Sequence, residues 1–170
     1  MNGERDKLLS VIDEIKPKLA TASIAEKYYL ETYAPVSNRA ERLEKYEKAL
    51  LYAANDPLLR GWYAYFLEDL DARIENTKIG LKRFPESSLL NNMMAYIMID
   101  KGDLEAAMNH LKVYITVHPD EPNAYDSMGD LLLKMGKEAE AKEMFLKAYD
   151  MSRELTTCLL YTSDAADDLL

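Results

Sequence analysis

The chain has 170 residues, of which 48% are apolar and 30% charged, enough for one compact domain or a short array of repeats and too apolar for a disordered segment. Thirty acids against 21 bases leave a net charge of −9, which argues against nucleic-acid binding through a basic face. Six Gly and six Pro are too few for a turn-rich all-β fold, and no apolar run reaches the roughly 18 residues of a membrane span.

The N-terminal stretch MNGERDKLLSVIDEIK is charged throughout and carries no apolar leader core, which predicts a cytoplasmic protein. Leu8, Ile12, Ile15 and Leu19 make a helical stripe interrupted by Pro17, and residues 1–19 read as a capping helix with a polar outer face. Ile24, Tyr28 and Tyr33 make a second stripe, stopped by Pro35. Ser37 or Asn38 is placed to cap a third helix that holds Leu43, Tyr46, Leu50 and Ala53. Residues 21–54 thus read as a diverged helical hairpin, and residues 1–53 as a set of N-terminal helices. Asp56 and Pro57 read as N-cap and first residue of the next helix.

From here the chain repeats at a period of 34 residues. Gly61, Ala95 and Gly129 coincide, as do Gly102 with Gly136, Ala107 with Ala141, Leu111 with Phe145, and Pro85 with Pro119. Small residues recur where two backbones approach, and large apolar residues recur between them. Tyr125, Met128, Gly129 and Leu132 form one helical stripe, Gly136 suits a positive-φ helix end, and Ala141, Met144, Phe145 and Ala148 form a second stripe. The preceding period repeats this with Met94, Ala95 and Met98, a turn at Gly102 with Asp103 as N-cap, then Ala107, Leu111 and Tyr114; Pro119 and Pro122 separate the two.

Tyr125-x-x-Met128-Gly129-x-x-Leu132 followed by Ala141-x-x-x-Phe145-x-x-Ala148 resembles the tetratricopeptide repeat. Three such repeats are expected over residues 54–155: 54–87, 88–121 and 122–155. The last departs at Arg153, where the family has Pro; the middle one has Asn91 in the large-aromatic slot; the first is degenerate, with Gly61, Gly80 and Pro85 fitting, Arg73 in a small-residue slot and Pro57 in the aromatic one. The resemblance implies an all-α helix-turn-helix solenoid, a right-handed superhelix with extra N-terminal helices. It also implies a non-catalytic scaffold that binds a peptide or partner helix in a concave groove lined by the first helix of each pair.

Carried over by spacing, the family's groove positions fall on Leu58, Trp62 and Tyr65, on Asn92, Tyr96 and Ile99, and on Asp126, Asp130 and Leu133. The aromatic stretch Trp62, Tyr65, Tyr96 and the acidic end Asp126, Asp130 imply a protein ligand with apolar groups and basic residues. The competing reading packs Trp62 and the tyrosines against the N-terminal helices. Asn92, Tyr96, Asn123, Asp126, Ser127 and Asp130 stand where a chaperone-tail clamp has Lys, Arg and Asn, and aspartates repel a carboxylate, so that subtype is not expected. A second function class is the regulatory or substrate-presenting part of a longer enzyme or sensor, and a third is self-association through residues 135–152.

Catalytic chemistry finds no foothold. His110 and His118 are the only histidines, with no metal spacing, and His110 reads as a solvated helix residue. Asp120, Glu121, Asp126 and Asp130 read as a solvated acidic face without the spacing of a calcium loop. No phosphate-binding glycine loop or nucleophile motif occurs, and the methionines Met93, Met94 and Met98 read as core filler. No catalytic residue, metal or cofactor is expected, nor a nucleic-acid or membrane partner.

Residues 158–168 resemble something other than protein structure. As codons TGT CTC TTA TAC ACA TCT GAC GCT GCC GAC, the string Cys158 to Asp167 is similar to a transposase adapter of sequencing libraries read in frame, and Asp168 fits its next bases. The expectation is a non-native tail over 156–170, a native chain that continues past Thr157, and a lone cysteine that is not its own.

Overall fold

In the computed structural model, residues 24–167 are described. The predicted stripe Leu8, Ile12, Ile15 and Leu19 and its capping helix lie outside them. Among the described residues there are eight helices and no strand: α1 (Ile24–Glu31), α2 (Arg39–Tyr52), α3 (Pro57–Phe66), α4 (Leu70–Arg83), α5 (Ser88–Lys101), α6 (Leu104–Val117), α7 (Pro122–Lys134) and α8 (Glu138–Asp167). The chain divides into two compact units at Phe84–Pro85.

In the first unit, α1 packs on α2, α2 on α3 and α3 on α4. Asn38 Oδ1 accepts the Glu41 amide at 2.9 Å, and Glu41 Oε2 accepts the Ser37 amide at 2.8 Å, a reciprocal cap at the start of α2. Asp56 Oδ1 accepts the Leu59 amide at 2.8 Å, with Pro57 opening α3 as expected. Tyr33 is not part of α1, which ends at Glu31, and Ala53 lies one residue beyond α2. Pro35 is therefore not what stops α1: the chain turns three residues earlier, where the Tyr33 and Ala34 amides bond back to Leu30 and Glu31. The core is Tyr46, Ala49, Leu50 and Leu59, with Tyr28, Ala53, Tyr63 and Phe66 packed against it. Asn76, buried on α4, ties α3 in place: its Nδ2 donates to the Arg60 carbonyl at 2.7 Å and its Oδ1 accepts from Arg60 Nη1 at 2.7 Å.

The second unit holds two helical hairpins, α5/α6 and α7/α8, and α7 also packs on both α5 and α6. The two hairpin turns are built alike. Gly102 at φ 86° and Gly136 at φ 74° end α5 and α7 in the left-handed region, and the Asp103 and Lys137 amides reach back to Met98 and Leu132 at 2.9 Å each. Asp103 then caps α6, accepting the Ala106 amide at 3.1 Å. Ala95, Ala107, Leu111, Tyr125, Gly129, Ala141 and Ala148 are buried, as their shared spacing predicts. A Cβ placed on Gly129 would stand 2.5 Å from Phe145 Cε1, so α7 and α8 touch where only hydrogen fits. Helix α8 continues through residues 158–167; a helical backbone there does not bear on the coding resemblance of that string.

Asn91 performs in α5 what Tyr125 performs in α7. Tyr125 Oη donates to the Pro119 carbonyl at 2.8 Å, and Asn91 Nδ2 donates to the Pro85 carbonyl at 2.8 Å and the Ser87 carbonyl at 3.0 Å. Both bonds tie a helix to the proline six residues upstream. With Nδ2 spent on carbonyls, Asn91 Oδ1 is the acceptor for His110 Nδ1, 2.9 Å away, so that nitrogen carries the proton. His110 is therefore half-buried and hydrogen-bonded across α5 and α6, not the solvated residue its spacing suggested. Burial lowers its pKa below the ordinary histidine value.

Below about pH 6.5 the unfolded chain takes up a proton that the folded chain resists, so His110's contribution is full above that pH and falls as acid is added. Thermal midpoints measured from pH 7.5 down to 5 should fall faster for the native chain than for His110→Gln, whose amide also donates to Asn91 but does not titrate. Parallel pH curves would contradict the assignment.

Candidate functional site

The groove positions expected on α3 lie on an open face. Leu59, Gly61 and Ala64 are buried, while Trp62 is 41% and Tyr65 59% exposed. Their rings are linked edge to face: Trp62 to Tyr65 at 6.0 Å and 80°, and Tyr65 to Phe66 at 5.2 Å and 90°. Phe66 in turn stacks on Tyr46 of the core at 5.7 Å. The neighbouring Tyr63 instead packs against the core, and its hydroxyl donates to Glu47 Oε1 at 3.0 Å on α2. Leu58 is partly buried.

On α5 and α7 the expected residues are brought together in part. Tyr96 Oη donates to Asp130 Oδ2 at 2.7 Å and lies 3.5 Å from Ser127 Oγ. Burial and the Asp130 carboxylate push the Tyr96 pKa up to about 12, so the phenol stays protonated and holds the carboxylate in place. The aromatic and acidic groups expected as separate stretches are here one hydrogen-bonded pair joining neighbouring helices. Asp126 and Leu133 are exposed, Asn92 and Ile99 partly buried. Asn92 Oδ1 is buried without a hydrogen-bond donor among the described residues. Ser127, counted among the clamp slots, is 1% exposed and belongs to the interior.

Glu121 is not the solvated acid its sequence context suggested. Tyr114 Oη donates to its Oε2 at 2.5 Å, and His118 Nδ1 lies 3.3 Å from its Oε1. Asn123 Nδ2 donates to the same Tyr114 hydroxyl at 3.3 Å, so its side chain serves the α6–α7 junction. Burial and Glu121 raise the Tyr114 pKa to about 12. Among the described residues, no three His, Cys, Asp or Glu side chains are grouped to hold a metal, and no helix is long and apolar enough to cross a membrane.

The sequence reading missed two features of the first unit. Arg39 and Arg42 flank an open cavity beside Tyr65 and Phe66; both lie outside the repeat period, and no spacing rule marks them. The Asn76 link between α3 and α4 was equally silent, because a helical asparagine is ordinarily a surface residue.

The family described as "Tetratricopeptide repeat" matches residues 122–155. Among curated proteins, the human and mouse protein O-mannosyl-transferase TMTC3 are each 40% identical to this chain over 62 residues, 36% of the chain and 7% of the relative. The chain therefore spans a small fraction of the length of these relatives. Among solved structures, a crystal structure of MamA superposes with a TM-score of 0.64 at 17% identity, covering 91% of this chain and 94% of that one. MamA 41-end from Desulfovibrio magneticus RS-1 superposes with a TM-score of 0.66 at 13% identity, covering 89% of each. At such identities the likeness is one of fold. The chain is an all-α helical-repeat protein, and its residues 122–155 match the tetratricopeptide repeat.

Proposed function

We propose that this chain is a non-catalytic scaffold that binds a peptide or a partner helix through open helix faces, that of α3 in the first unit and that of α5 and α7 in the second. One observation carries the reading. The helix residues Gly61, Ala95, Ala107, Leu111, Gly129 and Ala141 that recur at 34 are buried in packing, whereas Trp62, Tyr65, Asp126 and Leu133 on the first helices of the pairs remain exposed. Large exposed aromatics on a rigid helix are the residue type that dominates interface energetics. The α3 face suits apolar side chains. The α5/α7 face, with Asp126 and a Tyr96-anchored Asp130, suits a basic one. The transferase activity of the curated relatives is not carried over, since the shared segment is 62 residues long.

The test is peptide selection from a random display library on the immobilised full chain. Trp62→Ala is expected to weaken selected apolar peptides by about 30-fold or more, the scale of an interface hot spot, with an unchanged thermal melt. Asp126→Asn with Asp130→Asn is expected to lose the Lys- and Arg-bearing peptides selectively, because an asparagine oxygen still accepts from Tyr96. The same peptides at the same affinities on all three chains would end the proposal, and so would unfolding of Trp62→Ala.

A further inference from the structure

An open cavity of about 610 Å³ lies between the turn leading into α2 and the end of α3, with Val36, Asn38, Arg39, Arg42, Tyr65 and Phe66 in its wall. Two guanidinium groups stand in it, and neutral carbonyls hold both. Arg39 Nε donates to the Phe66 carbonyl at 2.6 Å, and Arg42 Nη1 donates to the Thr32 carbonyl. A carbonyl fixes a guanidinium in orientation without cancelling its charge, and leaves further N–H donors of the fork unused. The ion partner of Arg39 is Glu68, 3.8 Å away with its side chain 80% exposed, so water screens the pair. Glu41 is engaged by the Ser37 amide. Val36, Tyr65 and Phe66 supply an apolar wall, and the edge-to-face contacts continue it to Trp62. A protein of net charge −9 thus places two guanidinium groups in an aromatic-walled concavity.

We infer that this cavity takes a carboxylate side chain of a bound peptide together with the aromatic residue beside it. The acid lies between Arg39 and Arg42, and the ring lies against Tyr65 and Phe66. The inference rests on the reading of the α3 face as a peptide-binding surface and names what that surface selects. Arg presents two parallel N–H donors to a carboxylate, and such charge-assisted bonds are the stronger kind. The site is not one of the clamp slots on α5 and α7, where aspartates stand.

Trp62 is the only tryptophan and lies 6.0 Å from Tyr65, so its fluorescence reports occupancy. Three probes are titrated into the full chain: acetyl-GDFEFG-amide, its neutral counterpart acetyl-GNFQFG-amide, and acetyl-GNFQFG with a free terminal carboxylate. The acidic peptide is expected to bind about tenfold tighter than the neutral one, from one or two charge-assisted hydrogen bonds. That ratio should shrink with salt. Arg39→Gln and Arg42→Gln should each bring it toward one while leaving the neutral peptide's affinity unchanged, and Arg39→Lys should retain part of it. Should Arg42→Gln lose its melt along with its Thr32 bond, Arg39→Gln and Arg39→Lys still decide the matter. Equal affinity for the acidic and neutral amides overturns the cavity assignment but leaves α3 as a peptide surface. A free terminus that binds as tightly as the acidic side chains overturns the side-chain assignment. No response to any probe also overturns it, while the scaffold reading stands or falls by the library selection.

Discussion

Gly129→Val is expected to destabilise the second unit by about 2–3 kcal/mol, the cost of overpacking a filled interior. The Cβ alone would lie 2.5, 2.7 and 2.8 Å from three carbons of the Phe145 ring, and a branched side chain adds two further methyls. The ring is partly buried, so making room for the new side chain means giving up its contact with α7. Ala141→Trp, at a position with no exposed surface, is expected to go further and abolish cooperative melting. Phe145→Ala provides the check. If the ring is what Gly129 accommodates, then adding Phe145→Ala to Gly129→Val costs less than the sum of the two single changes, a positive coupling in a double-mutant cycle. Strict additivity, or a Gly129→Val chain that melts like the native one, would show that α7 and α8 do not meet there.

This closeness is also why the fold was legible. A 34-residue period of small side chains is a record of where backbones must approach. Gly129, Ala141 and Ala148 are buried for the reason their spacing implies, and Gly102 and Gly136 adopt the positive φ that a helix C-terminus requires. The caps Asn38, Asp56 and Asp103 were readable because each carries its own local geometry. The candidate site was legible only as positions. Spacing put Trp62 and Tyr65 on one helix face, but whether that face was open depended on what the neighbouring helices cover, which is a property of packing. The Tyr96–Asp130 bond was within reach: the two residues are one period apart, and equivalent positions on adjacent first helices face each other. Arg39 and Arg42 were out of reach, because their cavity is made by a turn and a helix end that share no period.

Such turns and ends show how the repeat tolerates departures from its pattern. The polar contacts of the second unit concentrate at hairpin junctions, where Tyr114, Glu121 and Asn123 join α6 to α7, and Asn91 and His110 join α5 to α6. Beside them, Asn91 and Tyr125 donate to the Pro85 and Pro119 carbonyls in the turns that precede α5 and α7. A side chain in such a slot is constrained by what it must donate to, more than by its size. Residue identity can then drift while the bond persists.

Asn91 is the sharpest case. Asn91→Ala is expected to cost about 2–4 kcal/mol, because it leaves buried polar groups without partners. The Pro85 and Ser87 carbonyls lose their donor and His110 Nδ1 loses its acceptor. In the next repeat the same proline carbonyl is served by Tyr125, and the residue 34 positions beyond His110 is Met144. Asn91→Tyr combined with His110→Met therefore rebuilds the α7/α8 arrangement in α5/α6. The pair is expected to recover most of the stability that Asn91→Ala loses, since the tyrosine hydroxyl reaches Pro85 and the thioether asks for no partner. Asn91→Tyr alone should fare worse than the pair, because His110 keeps a buried donor with nothing to accept it. Denaturant unfolding of the four chains decides the point. If the paired swap is no better than Asn91→Ala, the two slots are not interchangeable, and the equivalence between Asn91 and Tyr125 is one of geometry without energetic content.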